Sequence, residues 1–221
     1  MSGIRSEDLF DFFRSRAGEY LKKTSFPHEA LSKIGNWILA IGEGLDTEAF
    51  DRLAPDIWIA KSASVAPSAR ITGPCIVDES AEVRHCAFIR GNALIGKECV
   101  VGNSTELKNV LLFDGVQVPH YNYVGDSILG YKVHLGAGAI TSNVKGDRSP
   151  VVIKNGTQAI PTGRRKVGAM LGDFAEIGCG CVLNPGTVVG RGAQIYPLIS
   201  VRGVIPAESI CKDAHTVVAK K

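Results

Sequence analysis

Residues 118–126 read Val-Pro-His-Tyr-Asn-Tyr-Val-Gly-Asp, which sets one histidine between a proline and a run of hydroxyl and amide side chains. Histidine titrates near neutrality, so His120 is suited to take a proton from an attacking nucleophile. Three more polar clusters stand out: Ile89-Arg90-Gly91, Thr105-Glu106-Leu107-Lys108-Asn109, and the run from Leu135 through Gly136-Ala137-Gly138 to Asn143. Arg90 and Lys108 are 18 positions apart. If the chain returns to the same face at that interval, they form a ridge of two cations that suits a phosphate.

The elements that position these residues follow from a period of six. Ile59, Val65, Ile71, Val77, Val83, Ile89, Ile95, Val101, Leu107 and Phe113 keep one frame, and Ala63, Ala69, Cys75, Ala81, Ala87, Ala93, Cys99 and Thr105 keep a second. If about a third of residues qualified, ten such hits would arise by chance roughly once in several tens of thousands of frames. Neither a helix nor a simple alternating strand has period six; a coil of three short flat faces does. The expected fold is an all-β solenoid whose large residues fill an apolar column and whose small residues fit the corners. The pattern returns at Leu171, Ile177, Leu183, Val189, Ile195 and Val201. Between the tracts the register slips around Val118, Val124, Leu129 and Leu135, and an excursion leaves the solenoid at about 141–166. Alternation on a strand turns Glu106 and Lys108 outward together and Leu107 inward.

Residues 1–55 form a separate helical cap by their spacing. Leu9, Phe10, Phe12, Phe13, Tyr20 and Leu21 mark one helix, Leu31, Ile34, Trp37, Ile38 and Ile41 a second, and Thr47 to Leu53 a short third. The solenoid is expected over 56–206, followed by a tail at 207–221. In 221 residues of net charge +3, no long basic run calls for nucleic acid. The start lacks the basic and apolar pattern of a signal peptide, and no segment is long enough for a bilayer, so a cytoplasmic location without a membrane is expected. Cys75, Cys99 and Cys181 sit in the small frame as buried thiols, and Cys179 and Cys181 are too close for a redox pair, which fits a reducing compartment.

The stretches STELKN, HYNYVGDSILGYKVHLGAGAITSN and GDFAEIGCGCVLNPGTVVGRGAQI resemble the left-handed β-helix domain of bifunctional UDP-N-acetylglucosamine pyrophosphorylase/glucosamine-1-phosphate N-acetyltransferase and its single-domain relatives, over about residues 59–206. The resemblance implies the left hand, an acetyl-CoA-dependent N-acetyltransferase acting on an amino-sugar phosphate or nucleotide-sugar, and a homotrimer whose coenzyme pocket forms between subunits. It makes His120 the general base and places Arg90, Lys108 and Tyr123 around the sugar phosphate. Ala137, Asn143 and Cys179 would line the acetyl-CoA channel, and no metal is required. The chain departs from the family pattern at three ligand positions: His134 replaces an Asn that touches the sugar, Val144 a common aromatic residue, and Pro197 a small Ala beside the coenzyme. No uridylyltransferase domain is expected within the chain.

A backbone N–H of Gly136-Ala137-Gly138 is a candidate oxyanion donor, and the basic run Gly163-Arg164-Arg165-Lys166 a candidate contact for the coenzyme's phosphates. Two other readings stand beside this one. A non-catalytic sugar-nucleotide-binding or scaffold protein would use the cap as a partner surface. A zinc enzyme of the trimeric carbonic anhydrase type would need close histidine pairs, yet the repeat holds only His85, His120 and His134.

Overall fold

A computed structural model describes residues 3–220, so residues 1–2 of the expected cap and 221 of the expected tail lie outside the described residues. From Ile57 to Cys211 the chain winds as a parallel β-helix with three faces. In one coil the first face is the strand Cys75–Val77, the second Glu82–Val83 and the third Phe88–Arg90. Strands of each face pair in parallel with those of the coils above and below: Cys75 with Ala93, Val83 with Val101, and Ile89 with Leu107. The second face closes a nine-stranded sheet, while the first and third faces join in one of 14 strands.

Both frames read from the sequence are realised as a column. Val77, Val83, Ile89, Ile95, Val101 and Leu107 are fully buried or nearly so, as are Cys75, Ala81, Ala87, Ala93 and Cys99. Burial pushes the Cys75 thiol up to about 12, so it behaves as a small packing group. The column ends in the open at its first coil, where Ile59, Val65 and Ile71 are only partly buried.

The register slip has a local cause. Val83 to Val101 is a step of 18 residues, but Val101 pairs with Val118 and Gln117 with His134, steps of 17. The missing residue comes from the corner between the third face and the next first face. Arg90-Gly91-Asn92 spans that corner in one coil; Lys108-Asn109 and then Gly125-Asp126 span it in the following two. With the shorter corner, Glu106–Leu112 and Tyr123–Leu129 each run as one strand across two faces, bent at Asn109 and Asp126 with φ of 56° and 48°. The slip therefore begins earlier than the sequence frame indicates. Leu112 is the residue in register with Ile95, and Phe113 instead packs on the ring of Phe10 in the cap, with centroids 5.2 Å apart.

The cap lies over the first face but is built from shorter pieces than its apolar stripe suggests. Ser6–Leu9, Gly18–Leu21 and Ile34–Glu43 are α-helices, and Phe12–Arg14 and Pro27–Ser32 are 3-10 turns. The short third helix expected at Thr47 to Leu53 is absent. Phe50–Ala54 is a strand antiparallel to Ile57–Ala60, covering an edge that would otherwise expose unpaired backbone groups. The Arg16 guanidinium reaches from the cap to the buried Asp78 carboxylate at 2.6 Å and 2.9 Å, a bidentate clamp on the solenoid.

The excursion at 141–166 is a β-hairpin of Val152–Asn155 and Gln158–Pro161, tied back by the antiparallel bridge between Val144 and Lys166. The expected tail at 207–221 is a further correction. Ser209–Cys211 still pairs in parallel with the coil before it, and Val217–Ala219 folds back antiparallel on it to close that end of the sheet.

Candidate functional site

His120 ends the strand Gln117–His120 on the second face, at the corner leading to the third. Its side chain is exposed, while its backbone is held on both sides. The His120 N–H donates to Asn122 Oδ1 at 3.1 Å, and the His120 carbonyl accepts from the Gly138 N–H at 2.9 Å. Asn122 is buried, and its amide also donates to the Gly136 and Ala139 carbonyls at 2.9 Å and 3.0 Å. Two successive coils are thereby pinned around the histidine. Tyr121 takes up a left-handed φ of 53°, as do Cys86, Ser104 and Leu198 at other turns of the solenoid.

The same corner stacks the residues expected to meet acetyl-CoA. Ala137 lies beside Cys179, whose backbone would stand 2.6 Å from any Cβ on Gly136, and the backbone of Pro197 stacks next in the column against Gly178. The Gly136 N–H donates to the Ile177 carbonyl and the Gly138 N–H to that of His120, so both amides are committed. The Ala137 N–H has no partner among the described residues. The oxyanion donor expected somewhere in this run is thereby narrowed to one amide. Cys179 and Pro197 are exposed, Ala137 and Asn143 partly buried.

Across the third face stand Glu106, Lys108 and Tyr123, turned outward, with Leu107 fully buried beneath. Arg90 and Lys108 occupy neighbouring coils as expected, but each already faces a carboxylate: Arg90 meets Glu106 at 2.6 Å, and Lys108 meets Asp126 at 3.1 Å. The first pair is exposed and exchanges readily for another anion. The second belongs to a buried hub. Asp126 also accepts from Asn109 Nδ2 at 2.9 Å and Asn143 Nδ2 at 2.6 Å, and the same Asn143 amide donates to the Tyr123 hydroxyl at 3.2 Å. An ammonium has three donors, so Lys108 keeps N–H groups for a ligand. Burial raises the Tyr123 pKa above its ordinary value, which keeps its hydroxyl protonated. Gly125 allows the arrangement: a Cβ there would stand 2.5 Å from the Tyr123 hydroxyl and 2.9 Å from Asn143 Nδ2.

Three expectations change. Asn143 joins the Lys108 hub and not the Ala137 column. His134 lies on the second face, hydrogen-bonded to Glu176 at 2.9 Å, away from Lys108 and Tyr123 in the same chain. The run Gly163 to Lys166 stands beside Lys108 and Asp126 in a cleft of about 620 Å³ and does not line the Ala137 column. Sequence reasoning gave Asn109, Asn122 and Asp126 no role; their signal was a polar residue at each place where the period slips. Among the described residues no three His, Cys, Asp or Glu groups are gathered closely enough to hold a metal ion. Among the same residues no helix is long and apolar enough to cross a membrane.

A family described as the GMPPB C-terminal domain matches residues 71–157. The bifunctional sugar-1-phosphate nucleotidylyltransferase/acetyltransferase of Sulfurisphaera tokodaii is 30% identical over 61% of this chain and 38% of its own length. A bifunctional protein GlmU of Methanococcus maripaludis is 32% identical over 72% of this chain and 43% of its own. This chain thus spans less than half the length of these two relatives. Escherichia coli YaiX, described as a putative uncharacterized acetyltransferase, is 26% identical over 73% of this chain and 70% of its own. Among solved structures, the acetyltransferase domain of PglB from Neisseria gonorrhoeae in complex with acetyl coenzyme A covers 74% of this chain and 57% of its own, at 20% identity and a TM-score of 0.35. The sequence relatives bear out the resemblance to hexapeptide-repeat acyltransferases.

Proposed function

We propose that this protein is an acetyl-CoA-dependent N-acetyltransferase whose acceptor is a phosphorylated amino sugar. The observation that carries the reading is the placement of three groups around one face: an exposed histidine with a fixed backbone, an unpartnered amide at Ala137, and the Lys108 ammonium across the strand. His120 takes a proton from the acceptor nitrogen as that nitrogen attacks the thioester carbonyl. The oxyanion that forms accepts a hydrogen bond from the Ala137 N–H. Collapse breaks the carbon–sulfur bond, and His120 returns its proton to the departing thiolate, so the products are the acetamide and free coenzyme A. No acyl-enzyme is needed. The sugar spans Tyr123, and its phosphate meets Lys108 with Arg90.

A single solenoid offers this face with little cover. Phe88, Tyr121, Tyr196 and Leu198 are exposed along it, Leu198 at 84%. An apolar ridge of this kind fits a second copy of the chain, and in a cyclic trimer a neighbour closes the coenzyme channel. His134, remote from Lys108 in its own chain, then reaches a site only in a neighbour. Light scattering on active protein should give three chains; an active monomer contradicts the shared channel. A cytoplasmic location belongs to the same reading.

The kinetic test uses Lys108→Ala. Asp126 keeps its bonds from Asn109 and Asn143 but loses its cation, so a melting curve of the variant accompanies the kinetics. Loss of one charge-assisted contact costs about 1.5–3 kcal/mol, or roughly ten- to a hundredfold in affinity. The acceptor KM should rise by that factor while the acetyl-CoA KM stays nearly constant. A loss confined to acetyl-CoA would assign this ridge to the coenzyme.

A further inference from the structure

The cleft beside Lys108 extends past what a sugar monophosphate needs. Lys108, Asn109 and Asp126 line it on the solenoid, and it reaches the hairpin base on one side and Leu31 and Ser32 of the cap on the other. Arg164, Arg165 and Lys166 line one wall; Ser32 and Asn92 lie at the cap end. None of the three hairpin cations has a carboxylate partner among the described residues, although Lys108 has one. Arg164 Nε is buried with no hydrogen-bond partner, and so is Nδ1 of the neighbouring His28. Nor do the Ser32 and Asn92 side chains make a hydrogen bond within the described chain.

The wall is held in place by backbone structure. The Val151 N–H donates to the Arg164 carbonyl at 2.7 Å, the Val167 N–H to the Asn143 carbonyl at 3.0 Å, and the Gly168 N–H to the Asp126 carbonyl at 2.8 Å. The hairpin therefore fixes its three cations directly against the hub. Such a built wall of unpaired cations is a site for phosphate oxygens. Lys108 serves the phosphate next to the sugar, so the hairpin cations are left for a second one. Beyond them the neutral, unpartnered Ser32 and Asn92 suit the hydroxyl and amide groups of a nucleoside.

We infer that the acceptor is a nucleoside-diphosphate-linked amino sugar, its first phosphate on Lys108, its second on Arg164 and Arg165, and its nucleoside against the cap. This rests on the acetyltransferase reading for the sugar end alone. The hairpin and the cap then act together to discriminate a nucleotide-sugar from a sugar 1-phosphate. The other source of the same chemistry is the diphosphate of coenzyme A, and the experiment separates the two.

Calorimetric titrations of the full chain with UDP, GDP, CDP, dTDP and ADP, each beside its monophosphate and with coenzyme A saturating, test binding without turnover. At least one diphosphate should bind ten times or more tighter than its monophosphate, and Arg165→Ala should remove that preference. Arg165 is exposed, so this variant is expected to fold; Arg164→Ala is the second variant. In turnover, the ratio of kcat/KM for the nucleotide-sugar to that for the sugar 1-phosphate should fall tenfold or more in either variant. Equal binding of di- and monophosphates overturns the inference, as does binding of the diphosphates only when coenzyme A is left out, which would give the cleft to the coenzyme. If no amino sugar is acetylated, the acetyltransferase reading fails while the binding titrations still decide this one.

Discussion

Replacing His120 by alanine is expected to lower kcat by 10² to 10⁴, the usual contribution of a positioned general base. The imidazole makes no side-chain hydrogen bond within the described chain, and it lies outside the apolar column. Its backbone contacts to Asn122 and Gly138 are available to any residue. Stability should therefore change by no more than about 0.5 kcal/mol, as for other exposed substitutions. Together the two measurements separate chemistry from folding: a large loss of rate with an unchanged melting curve identifies the base. Retention of more than about a tenth of kcat removes His120 from that role.

Val101→Asp should act in the opposite sense, on folding before chemistry. Val101 is fully buried in the column, stacked between Val83 and Val118 of the adjacent coils. A carboxylate there would have neither water nor a cation nearby, and it can remain only by taking up a proton or by opening the coil. Several kcal/mol are lost either way, against a total stability of about 5–15 kcal/mol for an ordinary domain. Each coil is supported only by its neighbours, so the damage passes along the stack. The expected result is insoluble protein or loss of a cooperative melting transition. A soluble variant with a native circular dichroism spectrum and melting temperature would mean that the inward frame has been misassigned.

How far the sequence reveals this molecule depends on what repeats. The column was legible because each coil imposes the same demand for one large and one small residue. Phe113 satisfied the frame numerically yet belongs to the contact with Phe10, because the corner at Lys108-Asn109 had already lost a residue that an apolar frame does not register. The strand Phe50–Ala54 read as a helix since its need to cover an edge arises only once the first coil exists. In the site, the stacking of Arg90 and Lys108 followed from the 18-residue interval. The same interval separates Lys108 from Asp126, so that pair was legible too; the Glu106 partner of Arg90, 16 residues on, was not, because it reaches back along the face of the next coil. The position of Arg164 and Arg165 was equally hidden, since a hairpin of aperiodic sequence carries no mark of where it lands.

Acetyl transfer to a phosphorylated amino sugar is read out by thiol release from acetyl-CoA. Purified protein, assayed over a panel of amino-sugar 1-phosphates and nucleoside-diphosphate amino sugars, should release coenzyme A only with an acceptor carrying both a free amine and a phosphate. Release should match the acetamide formed one for one, and the corresponding neutral amino sugars should give little. No release above the rate without acceptor, across the whole panel and with the protein folded, would contradict acetyl transfer and leave a sugar-nucleotide-binding or scaffold protein in its place.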